Sequence, residues 1–322
     1  MSILRIKEIR DSIKENVGKV IIGKDEIIDI LITTVIAGGH ALLEDVPGTG
    51  KTVMAKALAK SIGGDFKRVQ FTPDLLPSDI TGINYYNQKL SEFTLRKGPI
   101  FTNILLADEI NRATPRTQGS LLEAMEERQV SIDGVTHKLD TPFFVIATQN
   151  PVETHGTFPL PEAQLDRFLV KINMGYPTIE EGKKIIQRFM ADNPMETIGE
   201  VCTKEDIVQA TKEYQQVYLC EELQDYILNI IDKTLNHSDI LLGVSPRGTL
   251  ALVKAARVYA AMQGRDYVTP EDIKTLSPYV LSHRIILKDA MRYKGVDGKV
   301  IILEILKDIS VPTENWEKLK ER

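Results

Sequence analysis

The chain has 322 residues, 43% of them hydrophobic and 26% charged, and this composition excludes collagen-like, rod-like and largely disordered chains. At about 150 residues per domain, the length predicts two domains or one large one. The formal net charge of −5 argues against a global basic field for nucleic acid or an anionic membrane, and leaves only a local basic groove as an alternative.

The cysteine content and the N-terminus indicate a reducing compartment. Cys202 and Cys220 are the two cysteines, too few for a disulfide scaffold or a cysteine-based zinc site, and we interpret them as inert core thiols. The first twenty residues are charged every few positions and predict a helix, not a secretory signal. The apolar stretch 27–37 is shorter than the ~20 residues of a membrane span. We therefore expect a cytoplasmic protein.

The first half of the chain alternates strand-like and helix-like patterns. Residues 41–43 form a short apolar run, and after a turn-rich segment residues 52–62 show the 3.6-residue period of a helix. Further strands are predicted at 67–71, 103–107, 143–147 and 168–172. Another helix is predicted from Thr114-Pro115 to about Gln129. The alternation predicts an α/β fold whose parallel sheet is buried on both faces.

The pattern changes after residues 175–177, where strand signals fade and helix starts recur. Capping boxes or close variants begin at Thr178, Thr203 and Thr269, and Ser245-Pro246 is a further pair of N-cap and first helical residue. We therefore predict a boundary near residue 176. It separates an α/β core, residues 1–176, from a mostly helical domain, residues 177–322.

A candidate phosphate-binding loop lies between the first predicted strand and the following helix. At Gly50-Lys51-Thr52, backbone N–H groups and the helix dipole can hold a polyphosphate. Lys51 would reach the β- and γ-phosphates, and the Thr52 hydroxyl would bind Mg²⁺. The standard loop has glycine where this chain has Asp45, and a carboxylate near phosphates is unfavourable. The alternative is a lysine and a threonine that merely open a helix.

Polar residues follow two of the predicted strands, at the sheet edge where α/β proteins bind ligands. Asp108 and Glu109 follow strand 103–107. Asp108 would hold Mg²⁺ through its water shell, and Glu109 would polarise the water that attacks the γ-phosphate. Asn150, after strand 143–147, could share the hydrogen bonding of that water. The alternatives are a surface acidic pair and a simple turn former.

Two arginines are candidates for stabilising charge on a transferred phosphoryl group. Arg167 precedes the last predicted core strand, and Arg247 begins a helix of the second domain. Arginine suits this role because it stays ionised and offers a planar fork of donors. An arginine finger is worth about 10³–10⁵ in rate and a surface ion pair only ~0–1 kcal/mol. Mutation therefore separates catalysis from the alternative of a surface or interdomain ion pair.

Four motifs together resemble the MoxR family of AAA+ ATPases. They are residues 44–52, LLADEINRA at 105–113, ATQNP at 147–151 and LPEAQLDRFL at 160–169. The resemblance extends from 20–23, which is similar to the adenine-side segment, to 268–284, which is similar to the lid. It implies a P-loop (AAA+) parallel sheet core flanked by helices, with a C-terminal helical lid domain. It also implies a ring, commonly a hexamer, with ATP and Mg²⁺ between subunits.

The resemblance also implies which residues bind the nucleotide and its metal. The implied nucleotide-binding residues are Val20, Ile22, Gly23, Val46, Pro47, Gly48, Thr49, Gly50, Lys51 and Thr52. Thr52 and Asp108 are the implied Mg²⁺ ligands. Asp45 departs from the glycine of many AAA+ loops.

The catalytic roles follow by position in the same motifs. Glu109 corresponds to the Walker B glutamate, Asn150 to sensor 1 and Arg247 to sensor 2. Arg167 is our choice of arginine finger, acting on the ATP of the neighbouring subunit. Arg112 and Arg116 lie close enough in sequence to be alternatives.

Two further segments resemble inserts of the same clade. Residues 71–79 are similar to the entry into an insert within the second core helix. Residues 130–139 carry Asp133-Gly134 between alternating residues, which predicts a hairpin. We expect both inserts to project toward the ring pore, and the alternative for each is a plain surface hairpin.

The resemblance favours a chaperone-like motor that remodels or matures a partner protein. MoxR-like proteins often act with partners that carry von Willebrand factor A domains, so such a partner is implied. Two alternatives stay open: a nucleic-acid motor, against which the acidic charge balance argues, and a nucleotide-gated scaffold with little turnover. A GTPase is disfavoured because the sequence has no Asn-Lys-x-Asp motif for reading guanine.

Overall fold

A computed structural model of the chain describes residues 3–44, 48–150, 156–191 and 193–313. The helices are α1 Ile3–Gly18, α2 Asp25–Ile36, α3 Lys51–Ser61, α4 Pro77–Thr81, α5 Pro115–Glu127, α6 Glu162–Leu165, α7 Ile179–Ala191, α8 Lys204–Glu213, α9 Glu221–Leu235, α10 Pro246–Met262, α11 Pro270–Leu281, α12 Asp289–Tyr293 and α13 Gly298–Asp308. The strands are β1 Ala41–Glu44, β2 Phe66–Gln70, β3 Gly82–Asn87, β4 Glu92–Lys97, β5 Ile104–Asp108, β6 Gln129–Ile132, β7 Val135–Lys138, β8 Phe144–Gln149, β9 Val170–Ile172, β10 Ile240–Leu242 and β11 Ile286–Leu287.

The five strands predicted for the core form one parallel sheet in the order β2-β5-β8-β1-β9. The predicted α/β fold is therefore confirmed. The last strand is shorter than expected, because Phe168 and Leu169 precede it. The carbonyl oxygens of these two residues accept hydrogen bonds from the Arg284 guanidinium at 2.7 and 3.1 Å.

Both faces of the sheet are buried. On β1, Ala41 and Leu43 pack in the same cluster as α1, α2 and α3, whereas Leu42 packs with α5 on the other face. Side chains alternate across a strand, so a strand covered on both sides needs apolar residues at every position. This explains the near-continuous apolar runs of β5 and β8.

Beyond Gly175 the fold is a helical lid, as predicted. The expected capping boxes form at Thr203 and Thr269, and the Ser245 hydroxyl accepts from the backbone N–H of Gly248. An antiparallel pair, β10 with β11, was not predicted from the sequence. The lid packs on the core through α10, which contacts α1 and α2. The exact boundary at residue 176 stays a prediction.

The two cysteines, Cys202 and Cys220, are buried and free. Burial raises the pKa of the Cys202 thiol to about 12, because a thiolate is poorly solvated there. This agrees with the interpretation of inert core thiols. None of the helices described here has the length and apolar character needed to cross a membrane.

Two hairpins extend from the core. The predicted hairpin is β6–β7, whose turn residues Asp133 and Gly134 both have positive φ, 48° and 81°, as in a type I′ turn. The other insert departs from expectation: α4 leads directly into β3–β4, and residues 98–103, all described, form no helix before β5. The backbone N–H groups of Gly98 and Ile100 instead donate to the carbonyl oxygens of Thr81 and Ile80 at 3.3 and 3.1 Å, which pairs this segment with α4.

Candidate nucleotide site

The phosphate-binding loop predicted from the sequence leads into α3. Gly48 and Gly50 have positive φ, 85° and 91°, a conformation that other residues rarely adopt. Gly50 is the N-cap of α3 and offers no side chain to its first turn, so the N-terminal N–H groups are available to an anion. Asp45, Val46 and Pro47 lie outside the described residues.

A cavity of about 410 Å³ opens in front of this helix. It is lined by Gly48, Gly50, Lys51, Thr52, Val53, Arg68, Gln70, Asp108, Glu109 and Asn150. The sequence predicted five of these side chains as functional from three separate segments: Lys51, Thr52, Asp108, Glu109 and Asn150. The parallel order of β5, β8 and β1 brings the three segments together at the carboxyl edge of the sheet.

A second cavity, of about 230 Å³, lies on the other side of the loop. Its lining is Val20, Ile21, Ile22, Lys24, Gly48, Thr49, Gly50, Val53, Gly175, Pro177 and Ile185. Val20, Ile22 and Thr49 were predicted to contact nucleotide, and they do line it. The two cavities share Gly48, Gly50 and Val53. A mostly apolar chamber therefore adjoins a polar one, with the loop between them.

Gly23 was also predicted to contact nucleotide, but it does not line either cavity. Its φ is +73°, and a Cβ built on it would lie 1.8 Å from Oε1 of Glu181. The positive φ favours glycine at this position. The contact with Glu181 also shows that α7 of the lid lies against the segment that forms the second cavity.

Asp108 is held by two donors. The Thr148 hydroxyl donates to its Oδ1 at 2.6 Å, and Arg68 Nη2 donates to its Oδ2 at 2.6 Å. Thr148 also accepts from the backbone N–H of Glu109 at 2.8 Å. Thr148 of β8 therefore fixes the side chain of Asp108 and the backbone of Glu109.

Glu109 has a left-handed backbone, with φ 57° and ψ 50°, an unusual conformation for a residue other than glycine. Its Oε2 accepts from the Gln70 amide at 2.7 Å and lies 3.1 Å from Nε of Arg112. The turn aims the carboxylate into the larger cavity, where a water molecule bound to a phosphate could be activated.

The sequence did not identify Arg68, Gln70 or Thr148. In the parallel pairing of β2 with β5, Gln70 lies opposite Asp108, and Arg68 shares the Gln70 face of β2 because side chains alternate. A signal was present, since polar residues at the carboxyl end of a strand next to the acidic strand are expected to reach the site. The order of the strands was needed to use it.

The two candidate catalytic arginines meet at one carboxylate outside both cavities. Arg167 Nε lies 3.2 Å from Oε2 of Glu126, and Arg247 Nη2 lies 3.0 Å from Oε1 of the same side chain. Arg247 also approaches Asp166 at 4.0 Å. Sensor 2 was predicted to act at the nucleotide, but Arg247 does not line the cavity of its own subunit. The structure therefore places Arg167 and Arg247 together on one partly exposed surface.

A third arginine anchors this surface to the lid. Arg284 is 9% exposed, and its Nε donates to Asp166 Oδ1 at 2.7 Å. Burial lowers the pKa of the Arg284 guanidinium, yet Asp166 and backbone carbonyl oxygens of Phe168 and Leu169 keep it satisfied. The contact joins the segment that follows α11 to Asp166, the residue that follows the short helix α6.

The residues present suit a nucleoside triphosphate with magnesium. The hydroxyl of Thr52 and the carboxylate of Asp108 line the larger cavity. Mg²⁺ prefers oxygen ligands of this kind. The described residues include no group of three or more His, Cys, Asp or Glu that could hold a metal by themselves. This agrees with a metal held partly by phosphate oxygens, as is usual for Mg²⁺.

Comparison with known proteins agrees with the geometry. Residues 40–170 match the family model described as the ATPase family associated with various cellular activities (AAA), and residues 232–302 match that of the AAA lid domain. Chaperone MoxR1 of Mycobacterium tuberculosis is 40% identical over 308 residues, which cover 93% of this chain and 81% of that protein. The chain belongs to the MoxR family of AAA+ ATPases.

Two further proteins are similar over nearly the whole chain. YeaC of Bacillus subtilis is 51% identical over 300 residues, covering 93% of this chain and 94% of its own. A solved structure of a candidate ATPase from Cytophaga hutchinsonii has 41% identity and a TM-score of 0.88, covering 96% of this chain and 98% of that one. The predicted AAA+ core with a helical lid is thus confirmed.

Proposed function

We propose that this MoxR-family protein binds ATP with Mg²⁺, hydrolyses it, and uses the cycle for chaperone-like remodelling or maturation of a partner protein. The observation that carries the ATPase part is the convergence of Lys51, Thr52, Asp108, Glu109 and Asn150 on one cavity. That cavity adjoins the apolar cavity lined by Val20 and Ile22, which suits an adenine base.

Each group has a distinct task in this proposal. The N–H groups that begin α3 and the Lys51 ammonium bind the phosphates. Thr52 and Asp108 hold Mg²⁺, which neutralises charge on the phosphates when bound. Glu109 takes a proton from the attacking water, and Asn150 orients that water. Val46 and Pro47 are proposed to complete the loop.

The position of Arg167 and Arg247 supports a site completed by a neighbouring subunit. Both side chains are about one third to one half exposed, and both lie at Glu126 instead of in the cavities of their own chain. We infer that they serve the nucleotide of the next subunit in a ring, proposed to be a hexamer. Such an arrangement makes turnover depend on assembly, because a guanidinium stabilises charge that develops at the γ-phosphate.

The hairpins support the remodelling part of the proposal. Nδ2 of Asn84 on β3 donates to Oδ2 of Asp133 at 3.0 Å, which ties the two hairpins together. On β3–β4, Tyr86 and Phe93 make an edge-to-face pair and are 53% and 74% exposed. Exposed aromatic side chains are typical of protein-binding surfaces. We propose that the hairpins face the pore and contact a protein client.

A partner carrying a von Willebrand factor A domain and a cytoplasmic location belong to the same proposal. Nucleic acid is not proposed as a substrate, because the net charge is −5 and nothing in the described fold favours it over protein. The relative named Chaperone MoxR1 supports a protein client.

Two variants test the ATPase proposal by separating binding from hydrolysis. Lys51→Ala should lose affinity for a fluorescent ATP analogue, measured by anisotropy. Glu109→Gln should keep that affinity and release phosphate at a rate at least about 10²-fold below the wild type. Wild-type protein that binds ATP but releases no more phosphate than Glu109→Gln would instead indicate the nucleotide-gated scaffold. Protein that binds no ATP at all would overturn the proposal.

A further inference from the structure

The side chain of Arg68 contacts the carboxylate of Asp108, a proposed Mg²⁺-holding residue. Its Nη2 and Nε donate to Oδ2 of Asp108 at 2.6 and 3.1 Å. The other oxygen of that carboxylate accepts from Thr148. A cation that approaches Oδ2 from the cavity must therefore compete with the guanidinium of Arg68.

Arg68 is placed so that it can leave Asp108 without disturbing the core. It lies on β2, the edge strand of the sheet, and its side chain is 48% exposed while that of Asp108 is 14% exposed. Its second partner in the site is the Gln70 carbonyl oxygen, Oε1, at 3.0 Å. Arginine also has a long side chain with several rotatable bonds, so the same backbone position can serve more than one partner.

From this geometry we infer that Arg68 and Mg²⁺ compete for Asp108. The guanidinium neutralises the carboxylate in one state. If Mg²⁺ with its water shell is held at Asp108, Arg68 leaves Oδ2, because two cations at one carboxylate repel each other. The released guanidinium remains in the cavity that it lines with Lys51 and Thr52, where it can bind phosphate oxygens.

The inference rests on the proposed function, and it adds a positioning residue to that site. Its consequence concerns nucleotide binding more than the chemical step. When Arg68 is present, its guanidinium neutralises Asp108, so the carboxylate repels a metal-free nucleotide only weakly. It also binds Mg²⁺ less readily than it would without Arg68. Without Arg68, a bare carboxylate faces the phosphates, so metal-free nucleotide binds poorly and Mg²⁺ restores more of the affinity.

The test measures the dissociation constant of a fluorescent ADP analogue in EDTA and in Mg²⁺. The quantity compared between variants is the dissociation constant in EDTA divided by that in Mg²⁺. ADP is used because it is not turned over. The ratio for Arg68→Ala should exceed the wild-type ratio by about tenfold, mainly through weaker binding in EDTA. The matched control is Lys67→Ala, which removes the same charge from the neighbouring exposed residue of β2 and should leave the ratio unchanged.

A double-variant comparison ties the effect to the carboxylate. In an Asp108→Asn background Arg68 has no charged partner at that position, so adding Arg68→Ala should change the ratio by less than about twofold. A ratio for Arg68→Ala equal to that of the wild type, with correctly folded protein, would overturn the inference and make the contact a surface ion pair. Wild-type protein that binds ADP in neither buffer would instead contradict the proposed function.

Discussion

The side-chain amide of Gln70 donates a 2.7 Å hydrogen bond to Oε2 of Glu109. The same oxygen lies 3.1 Å from Nε of Arg112. Both contacts engage Oε2 and restrict the orientation of the carboxylate. The residue proposed to activate water is therefore restrained by an edge-strand side chain and by the turn that follows it.

Replacing Gln70 with alanine should raise basal phosphate release about two- to fivefold, because Oε2 of Glu109 then has one fewer donor to exchange before it can accept a proton from water. Steady-state phosphate release at saturating ATP measures this. In a Glu109→Gln background the same change should have no effect on turnover. Lower turnover of Gln70→Ala with intact ATP binding would show that Gln70 promotes the reaction instead of restraining Glu109.

Arg167→Ala and Arg247→Ala should each keep ATP binding and lose hydrolysis, Arg167→Ala by about 10³-fold or more if it is the finger. Anisotropy and phosphate release separate the two effects. Mixing Arg167→Ala with Glu109→Gln should restore part of the turnover. In a mixed ring, some interfaces combine the intact Glu109 of one variant with the intact Arg167 of the other. Normal hydrolysis by Arg167→Ala would place the finger elsewhere, with Arg112 and Arg116 next to be tested.

Changing Tyr86 and Phe93 to serine should leave basal hydrolysis within about twofold of the wild type, because β3–β4 lies outside the residues that line either cavity. The same variant should lose stimulation of phosphate release by an unfolded protein such as reduced casein. A suitable control is Leu241→Ser, which changes an exposed apolar residue on the lid. Equal stimulation of all three proteins would contradict the client-binding role.

The stability of the fold should fall as the pH is lowered from about 6.5 to 5.5. Burial lowers the pKa of His40 to about 3, and burial together with Arg284 lowers that of His283. In this window the unfolded chain binds protons that the folded chain cannot, so lowering the pH from about 6.5 to 5.5 favours unfolding by about 1 kcal/mol for each histidine.

Urea unfolding at pH 7 and pH 5.5 measures this dependence. His40→Gln should abolish about half of the loss. A wild-type protein equally stable at both pH values would contradict buried neutral histidines. His40 accepts from the backbone N–H of Val145 and lies 3.0 Å from the Met125 carbonyl oxygen, so the glutamine variant also lowers stability at pH 7.

Much of the fold could be predicted from the sequence because its signals are local. The apolar runs of β5 and β8, the glycines before α3 and the threonine caps of the lid act over a few residues. The positive φ values of Asp133 and Gly134 likewise follow from a turn that this residue pair favours. The pair β10–β11 escaped prediction, because two short strands far apart in sequence give little periodicity.

The sequence predicts the site residues that belong to a local motif. It does not predict those that reach the site only through the order of the strands or the packing of the lid. Lys51 and Asp108 stand in recognisable patterns, whereas Arg68 becomes relevant only when β2 is known to lie beside β5. The location of Arg247 depends on how the lid sits on the core, and its contact with Glu126 joins residues 121 positions apart. Such a contact leaves no trace in local spacing.

The central claim is an ATPase site completed by a second copy of the chain. Phosphate release per mole of protein should be measured over a dilution series, with sedimentation velocity on the same samples and Glu109→Gln as the blank. The account predicts that specific activity rises as monomers give way to an assembly, and then levels. Specific activity that is the same in samples shown to be monomeric and in samples shown to be assembled would contradict it.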